Sequence, residues 1–371
     1  MNGGDSSTTP AFSEATYVIA AGGTGGHVFP GITLAREIRA RRPDARVVFA
    51  GTPYGLENRL VPEAGFELAT VSASGFAGKS AGQRLLALAR VPRGFAESRR
   101  LLSRLRPRAV AGVGGYASVP VILAARSLGV PTLVHESNAT PGIANRLLSR
   151  IATRTAVGIP AAAARLGGSA LVTGTPVRPE FFSIEPLGVA ARAGRLLVFG
   201  GSQGSAALNR AMAEAAPELA GDGLSVIHQT GERWLEPVRR SYPTLPSGWR
   251  LEPFLPRLHE EMAWADVVVC RAGALTLAEL AAAGRPAVLV PLASSTQGHQ
   301  LGNARAVADA GAAFVLEEKD LTGHALASAI RSLLGDRARL AAMAERSRSL
   351  ARPDAARRLA DLLFEIERKR P

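Results

Sequence analysis

The chain has 371 residues, 47% hydrophobic and 20% charged: a globular composition, and a length that points to two domains of ordinary size. Lys and Arg number 44 against 31 Asp and Glu, a net charge of +13, so an anionic partner is expected, whether nucleic acid, an anionic membrane surface or a phosphorylated substrate. The single cysteine, Cys270, excludes an internal disulfide and fits a reducing compartment; no run reaches the roughly 18 apolar residues of a membrane span, and the polar start MNGGDSSTTPAFSEA lacks a signal-peptide pattern, so a cytosolic protein with peripheral membrane contact is expected.

The first element is an apolar strand, YVIAAG, followed by the glycine turn GGTGG (22–26) and a helix predicted over Ile32–Arg42. Such a turn brings backbone N–H groups up to an anion at a helix N-terminus. Further strands follow at RVVFAG (46–51), AVAGVGG (109–115), PTLVHES (131–137) and ALVTGTP (170–176). After a proline-containing linker, 178–195, the theme repeats with RLLVFGG (195–201), LSVIHQTG (224–231), ADVVVCRAG (265–273) and RPAVLVPLA (285–293). Strands alternating with Ala/Arg/Leu-rich helices predict parallel βαβ architecture. The fold class is therefore α/β, with two doubly wound, Rossmann-like domains and a ligand cleft between them. We place the domains at 16–178 and 179–352, with a last helix at about 353–369 free to pack on either.

Four glycine-rich turns end strands: GGTGG, GVGGY (112–116), GGSQG (200–204) and RAGA (271–274). Each alone reads equally well as a tight turn, but four at the carboxyl ends of strands point to ligand binding. Three familiar motifs nearly match. GVGGYA fits G-x-G-x-x-A, with Glu136 ending the next strand as a ribose-binding acid would. GFAGKS (75–80) resembles a P-loop, but its glycine spacing is too short and position 73 is alanine. GGSQG satisfies G-x-S-x-G, and with Asp266 and then His299 or His324 in hydrolase order the pattern leaves a Ser202 esterase open. No H-E-x-x-H, C-x-x-C or Asp-x-Asp pair suggests a metal site. A departing diphosphate would then depend on backbone N–H groups and helix N-termini.

The stretch 79–108 holds nine Lys/Arg and one acid, Glu97, interleaved with Leu85, Leu86, Leu88, Val91 and Phe95. That composition suits an amphipathic surface on anionic headgroups; the plain alternative is a solvated helix pair. Nucleic acid is not expected as a partner, because aromatic residues are only 5% of the chain and no recognition module is visible.

AAGGTGGHVFP, GVGGYASVP, HESNATPGIAN, TGTPVR, FGGSQGS, ADVVVCRAGALTLAELAAAG and HQLGNA occur in one order along the chain. In that combination, from about residue 16 to the last helix, the sequence resembles the MurG family, bacterial glycosyltransferases that add N-acetylglucosamine to lipid I to make lipid II. The resemblance implies a GT-B fold, a metal-independent inverting reaction with no cofactor, and action on the cytoplasmic face of the inner membrane. It also implies UDP-N-acetylglucosamine in the C-terminal domain and lipid I in the N-terminal one. Another GT-B transferase with a lipid acceptor is the neighbouring alternative.

Carried onto this sequence, the resemblance gives Ser202 the donor phosphate and Glu279 the ribose hydroxyls. Ala274, Leu275 and Thr276 offer N–H groups to the diphosphate or sugar, and Leu255 holds uracil through its backbone. Arg178 contacts the donor, and Gln300 and Asn138 lie near the sugar hydroxyls. Without it, Ser202 reads as a helix N-cap, Glu279 as an exposed glutamate and Arg178 as a surface ion-pair partner. His27, closing the first glycine loop, is either the base for the acceptor hydroxyl or a ligand of the acceptor diphosphate. Tyr116 and Glu136 are secondary candidates on the acceptor side, and Thr24, Gly25 and Gly26 are expected to face the cleft and the diphosphate of lipid I. Two departures from the common pattern are Ser137, where glutamine is frequent, and SSTQGHQ, which lacks an acid before its His-Gln and leaves Gln297 as a rival to Gln300.

Overall fold

The computed structural model describes residues 15–73, 81–167, 169–187, 194–242, 244–295 and 298–368. The first sheet contains β1 (Thr16–Ala20), β2 (Arg46–Gly51), β3 (Glu67–Thr70), β4 (Ala109–Gly112), β5 (Thr132–Glu136), β6 (Arg154–Val157) and β7 (Leu171–Val172), in the order β3-β2-β1-β4-β5-β6-β7. The second contains β8 (Arg195–Phe199), β9 (Ser225–Gln229), β10 (Trp249–Glu252), β11 (Val267–Cys270), β12 (Ala287–Leu289) and β13 (Ala313–Val315), in the order β10-β9-β8-β11-β12-β13. Every pairing is parallel. The inner strands TYVIA, AVAG and VVVC are buried throughout, because helices cover both faces and alternation has no advantage there.

The helices packed on the first sheet are α1 (Gly25–Arg41), α2 (Glu57–Glu63), α3 (Ala81–Leu105), α4 (Ser118–Ser127), α5 (Ile143–Leu148) and α6 (Ala161–Arg165). Those of the second half are α7 (Ala206–Leu219), α8 (Leu235–Ser241), α9 (Leu258–Trp264), α10 (Ala274–Ala283), α11 (His299–Ala308), α12 (Gly323–Leu334) and α13 (Arg337–Ser349), followed by α14 (Ala355–Glu367). The last does not stay with them: Leu359, Leu363 and Ile366 of α14 are buried in the core that holds Tyr17, Ile19 and Ala111 of the first sheet. Arg42 and Tyr17 both hydrogen-bond Glu367 at its far end.

The nine expected strands are present; β3, β6, β10 and β13 are additional. Each has three or four residues, and β3, β10 and β13 lie at sheet edges, where mixed sequences such as ELAT and WRLE suffice. The first helix begins at Gly25, about two turns before the expected Ile32, because the GG of the turn is itself helical and Pro30 is accommodated within. The basic stretch forms one helix, α3, rather than a pair. Lys79, Ser80 and the side chains of 81–91, hence Leu85, Leu86, Leu88 and Val91, lie outside the described residues, as does GFAGKS. Phe95, expected on the amphipathic surface, packs instead against the core with Leu101 and Leu102, while Arg99, Arg100 and Arg104 are exposed.

Candidate functional site

Strand order reverses at β1/β4 in the first sheet and at β8/β11 in the second, and ligands of open α/β sheets bind at such switch points. All four glycine turns stand there. The first two touch: Gly115, at φ +83, lies so close to Gly22 that a Cβ on it would come within 2.8 Å of the Gly22 nitrogen and closer to its oxygen. Gly115→Ala should therefore lower the melting temperature, with about 1–2 kcal/mol lost to left-handed backbone alone and more to overlap; an unchanged melting curve would mean the turns are not in contact.

Thr24 occupies the N-cap position of α1, with extended φ −125 and ψ 159, so Gly25 and Gly26 present their N–H groups at the helix start. His27 is next. Its imidazole lies on Gly114, whose φ of +108 and missing Cβ leave it room. Its Nδ1 is buried with no hydrogen-bond partner. Burial pushes the His27 pKa below the ordinary histidine value, opposed by the Glu136 charge, a Gly22 backbone hydrogen bond and the Glu57 charge. The ring is consequently neutral at pH 7.

Two buried carboxylates organise the loops around it. Glu57, which sequence reasoning missed, accepts from Gly23 N at 2.8 Å, Thr52 N at 2.8 Å and Thr52 Oγ1 at 2.7 Å, under a shell of glycines that leaves it space. Glu136 accepts four bonds, from Asn138 N and Nδ2 and from Gly142 N and Asn145 Nδ2, at 2.8 to 3.0 Å. Its lone pairs are spent on the loop, which corrects both its candidacy as an acceptor-side group and the ribose-binding role in the GVGGYA reading. Tyr116 stands 49% exposed just after the second turn.

In the second half, α10 starts at Ala274 after Gly273, and the first bond closing that turn runs from Leu277 N to Gly273 O. The N–H groups of Ala274, Leu275 and Thr276 therefore precede the helix ladder and carry its positive end. Glu279 lies further along the same helix, buried rather than exposed, and bonds Arg178 Nη2 at 2.9 Å. Burial raises its pKa, with the Arg178 charge and hydrogen bond pulling it back. Arg178 is likewise no surface residue: its guanidinium lies 4.4 Å from the Phe29 ring centre and 4.8 Å from that of Phe181, and its Nε is buried without a partner. Phe29 belongs to α1, so this stack joins the two halves.

The N-cap of α7 is Ser205, whose Oγ accepts from Leu208 N; Ser202 is exposed in the turn before it. Arg271 ties the third and fourth turns together, bonding Ser205 Oγ at 3.0 Å, Val290 O at 3.2 Å and Glu318 Oε2 at 2.9 Å. Leu255 has its side chain in the core of the second half. Gln300 Oε1 accepts from Leu292 N at 2.9 Å and braces that loop; Gln297 lies outside the described residues.

The hydrolase reading fails on geometry. Asp266 accepts from Arg195 N at the amino end of β8, whereas Ser202 follows its carboxyl end. His299 bonds Thr140 O, and exposed His324 bonds Glu218. Ser202 should therefore resist a fluorophosphonate, checked by intact-mass analysis; a stoichiometric adduct would reinstate the elbow.

Across the seam, the second residue missed is Asn303, fully buried on α11. Its Oδ1 accepts from Ala139 N at 2.8 Å, and its Nδ2 donates to Asn138 Oδ1 at 3.0 Å and Ala272 O at 3.1 Å. Asn138 is thereby held between Glu136 and Asn303, and the α10 start is fixed against the first half. Its signal in the sequence is the asparagine of HQLGNA, one turn after Gln300 on the same helix.

Comparison with known proteins agrees with this geometry. The Glycosyltransferase family 28 N-terminal domain matches residues 17–157, and the Glycosyltransferase family 28 C-terminal domain matches 195–359. A protein of Anaeromyxobacter sp. strain Fw109-5, named UDP-N-acetylglucosamine--N-acetylmuramyl-(pentapeptide) pyrophosphoryl-undecaprenol N-acetylglucosamine transferase, is 44% identical over 95% of this chain and 94% of its own. One of the same name from Geobacter sulfurreducens is 40% identical over 95% and 99%. The crystal structure of Acinetobacter baumannii MurG superposes with a TM-score of 0.78 at 32% identity, covering 95% of this chain and all of that one. With both domains matched and relatives aligned nearly end to end, the chain belongs to the MurG family of glycosyltransferases.

Proposed function

We propose that the protein transfers N-acetylglucosamine from UDP-N-acetylglucosamine to the C4 hydroxyl of N-acetylmuramic acid in lipid I, forming a β(1→4) bond and yielding lipid II for peptidoglycan synthesis. The observation that carries this reading is the meeting of α1 and α10 at the seam. A neutral histidine starts one helix, and three open N–H groups followed by a buried glutamate start the other. Residues 16–178 with the last helix, α14, serve as the acceptor domain in this reading, and 179–352 as the donor domain.

In the reaction, His27 takes the acceptor hydroxyl proton as O4 attacks the anomeric carbon. The bond from that carbon to the UDP oxygen breaks, and the electron pair leaves with UDP. Inversion follows from attack opposite the leaving group. The charge on the departing diphosphate is met by Ala274, Leu275 and Thr276 N–H groups, the exposed Ser202 turn and Arg178. Glu279 accepts the ribose hydroxyls, Leu255 backbone holds uracil, and Gln300 and Asn138 line the sugar. Thr24, Gly25 and Gly26 close on the reacting sugar from the other side, with Tyr116 at the rim. The exposed arginines of α3 suit anionic headgroups and support a peripheral position on the cytoplasmic face of the inner membrane; among the described residues no helix is long and apolar enough to cross a membrane.

The test is UDP release with and without a short-chain lipid I analogue, followed by mass analysis. Release only with acceptor, and a product heavier by one N-acetylhexosamine, is the expected result. No release with either would end the reading.

A further inference from the structure

On α5 and the turn after it, Ile143, Leu147 and Ile151 are 60%, 55% and 39% exposed. Their fourfold spacing puts them on one face, and Arg146 and Arg150 share that face. Both arginines are exposed, and neither has an acidic partner among the described residues. Beside Arg146 opens a cavity of about 410 Å³, lined among the described residues by Thr140, Pro141, Arg146 and Arg165.

That cavity belongs to the mouth of the cleft. Thr140 O accepts from His299 Nδ1 at 2.6 Å across the seam, and Thr140 Oγ1 accepts from Arg165 Nη1 at 2.6 Å. On its inner side, Glu136 accepts from Gly142 N and Asn145 Nδ2 at the start of α5, and the same carboxylate acts on the His27 imidazole. From the base outward, the protein thus presents a reacting centre, a basic cavity and an aliphatic ledge.

We propose that this ledge is the exit track of the acceptor: Arg146 and Arg165 bind its diphosphate, and Ile143, Leu147 and Ile151 carry the first isoprene units of its chain. The inference rests on the transferase reading above. An acceptor of that chemistry has its sugar, diphosphate and hydrocarbon in the same order as the three surfaces. Electrostatics also favours the diphosphate here over the first glycine loop, where Gly23 N–H is already taken by Glu57 and two buried carboxylates flank His27. One helix outward it meets guanidinium forks suited to bidentate phosphate binding. The aliphatic face, costly to leave in water, is covered only while acceptor is bound.

The experiment uses the full chain and two acceptors with the same diphosphate-linked sugar peptide in detergent micelles, one carrying an undecaprenyl chain and the other an ethyl group. Ile143→Ser with Leu147→Ser should raise KM for the long-chain acceptor about tenfold and leave KM for the ethyl acceptor and for UDP-N-acetylglucosamine unchanged. Arg146→Gln with Arg165→Gln should raise KM for both acceptors. If the serine pair melts early, Leu147→Gln alone carries the comparison. Equal effects of the serine pair on both acceptors, or none on either, overturn the proposal. Unchanged KM together with lost binding to phosphatidylglycerol vesicles also overturns it and makes the ledge a bilayer contact. Wild-type enzyme that releases no UDP with either acceptor fails at the transferase reading instead.

Discussion

His27→Ala lowers kcat by about 10²- to 10⁴-fold, the range for removing a general base, while donor affinity measured by calorimetry stays within about twofold of wild type. The ring sits on Gly114 at the first switch point, and its unpartnered Nδ1 shows that the local fold does not consume it. Because burial holds the imidazole below its usual pKa, the base is already unprotonated at neutral pH. Rate should therefore fall only as pH drops through that depressed value, placing the acid limb of kcat/KM below the ordinary 6.5. A limb above 6.5, or a His27→Ala enzyme with normal turnover, would remove the residue from proton transfer.

Glu279→Ala should raise KM for the donor by about 10- to 100-fold, the loss expected for charge-assisted bonds worth ~1.5–3 kcal/mol. It should also destabilise the protein, because it leaves the Arg178 guanidinium buried against Phe29 and Phe181 without its carboxylate. Breaking such a buried pair from one side costs about 3–5 kcal/mol. The two effects are separable: Glu279→Gln keeps an acceptor oxygen beside Arg178 and should recover most of the stability while still weakening ribose binding. Unchanged KM in Glu279→Gln would assign the residue to the domain junction alone.

The twin parallel sheets are legible in the sequence because fully buried strands leave continuous runs such as VVVC and each is followed by a glycine turn. The motifs also located the four glycine turns that stand at the switch points. What stayed hidden acts across long separations. Asn303 meets Asn138 and Ala139 only after both domains have folded and closed. Glu57 lies in GLENRLVP, a stretch like any helix start, and gains meaning from glycines at 22, 51 and 55 that make room for it. Glu136 misled for the converse reason: an acid at a strand end looks free until Asn138, Gly142 and Asn145 fold back onto it. Burial likewise changes Arg178 and Glu279 from ordinary surface charges into one interlocked pair.

Because α14 returns to the first sheet, the chain connects the two halves twice, once between β7 and β8 and once between α13 and α14. A single protease cut or stop codon in the linker thus cannot yield an independent acceptor half, since that fragment would expose the faces of Tyr17, Ile19 and Ala111 that Leu359, Leu363 and Ile366 cover. An isolated acceptor half would need residues 353–368 spliced back through a designed loop.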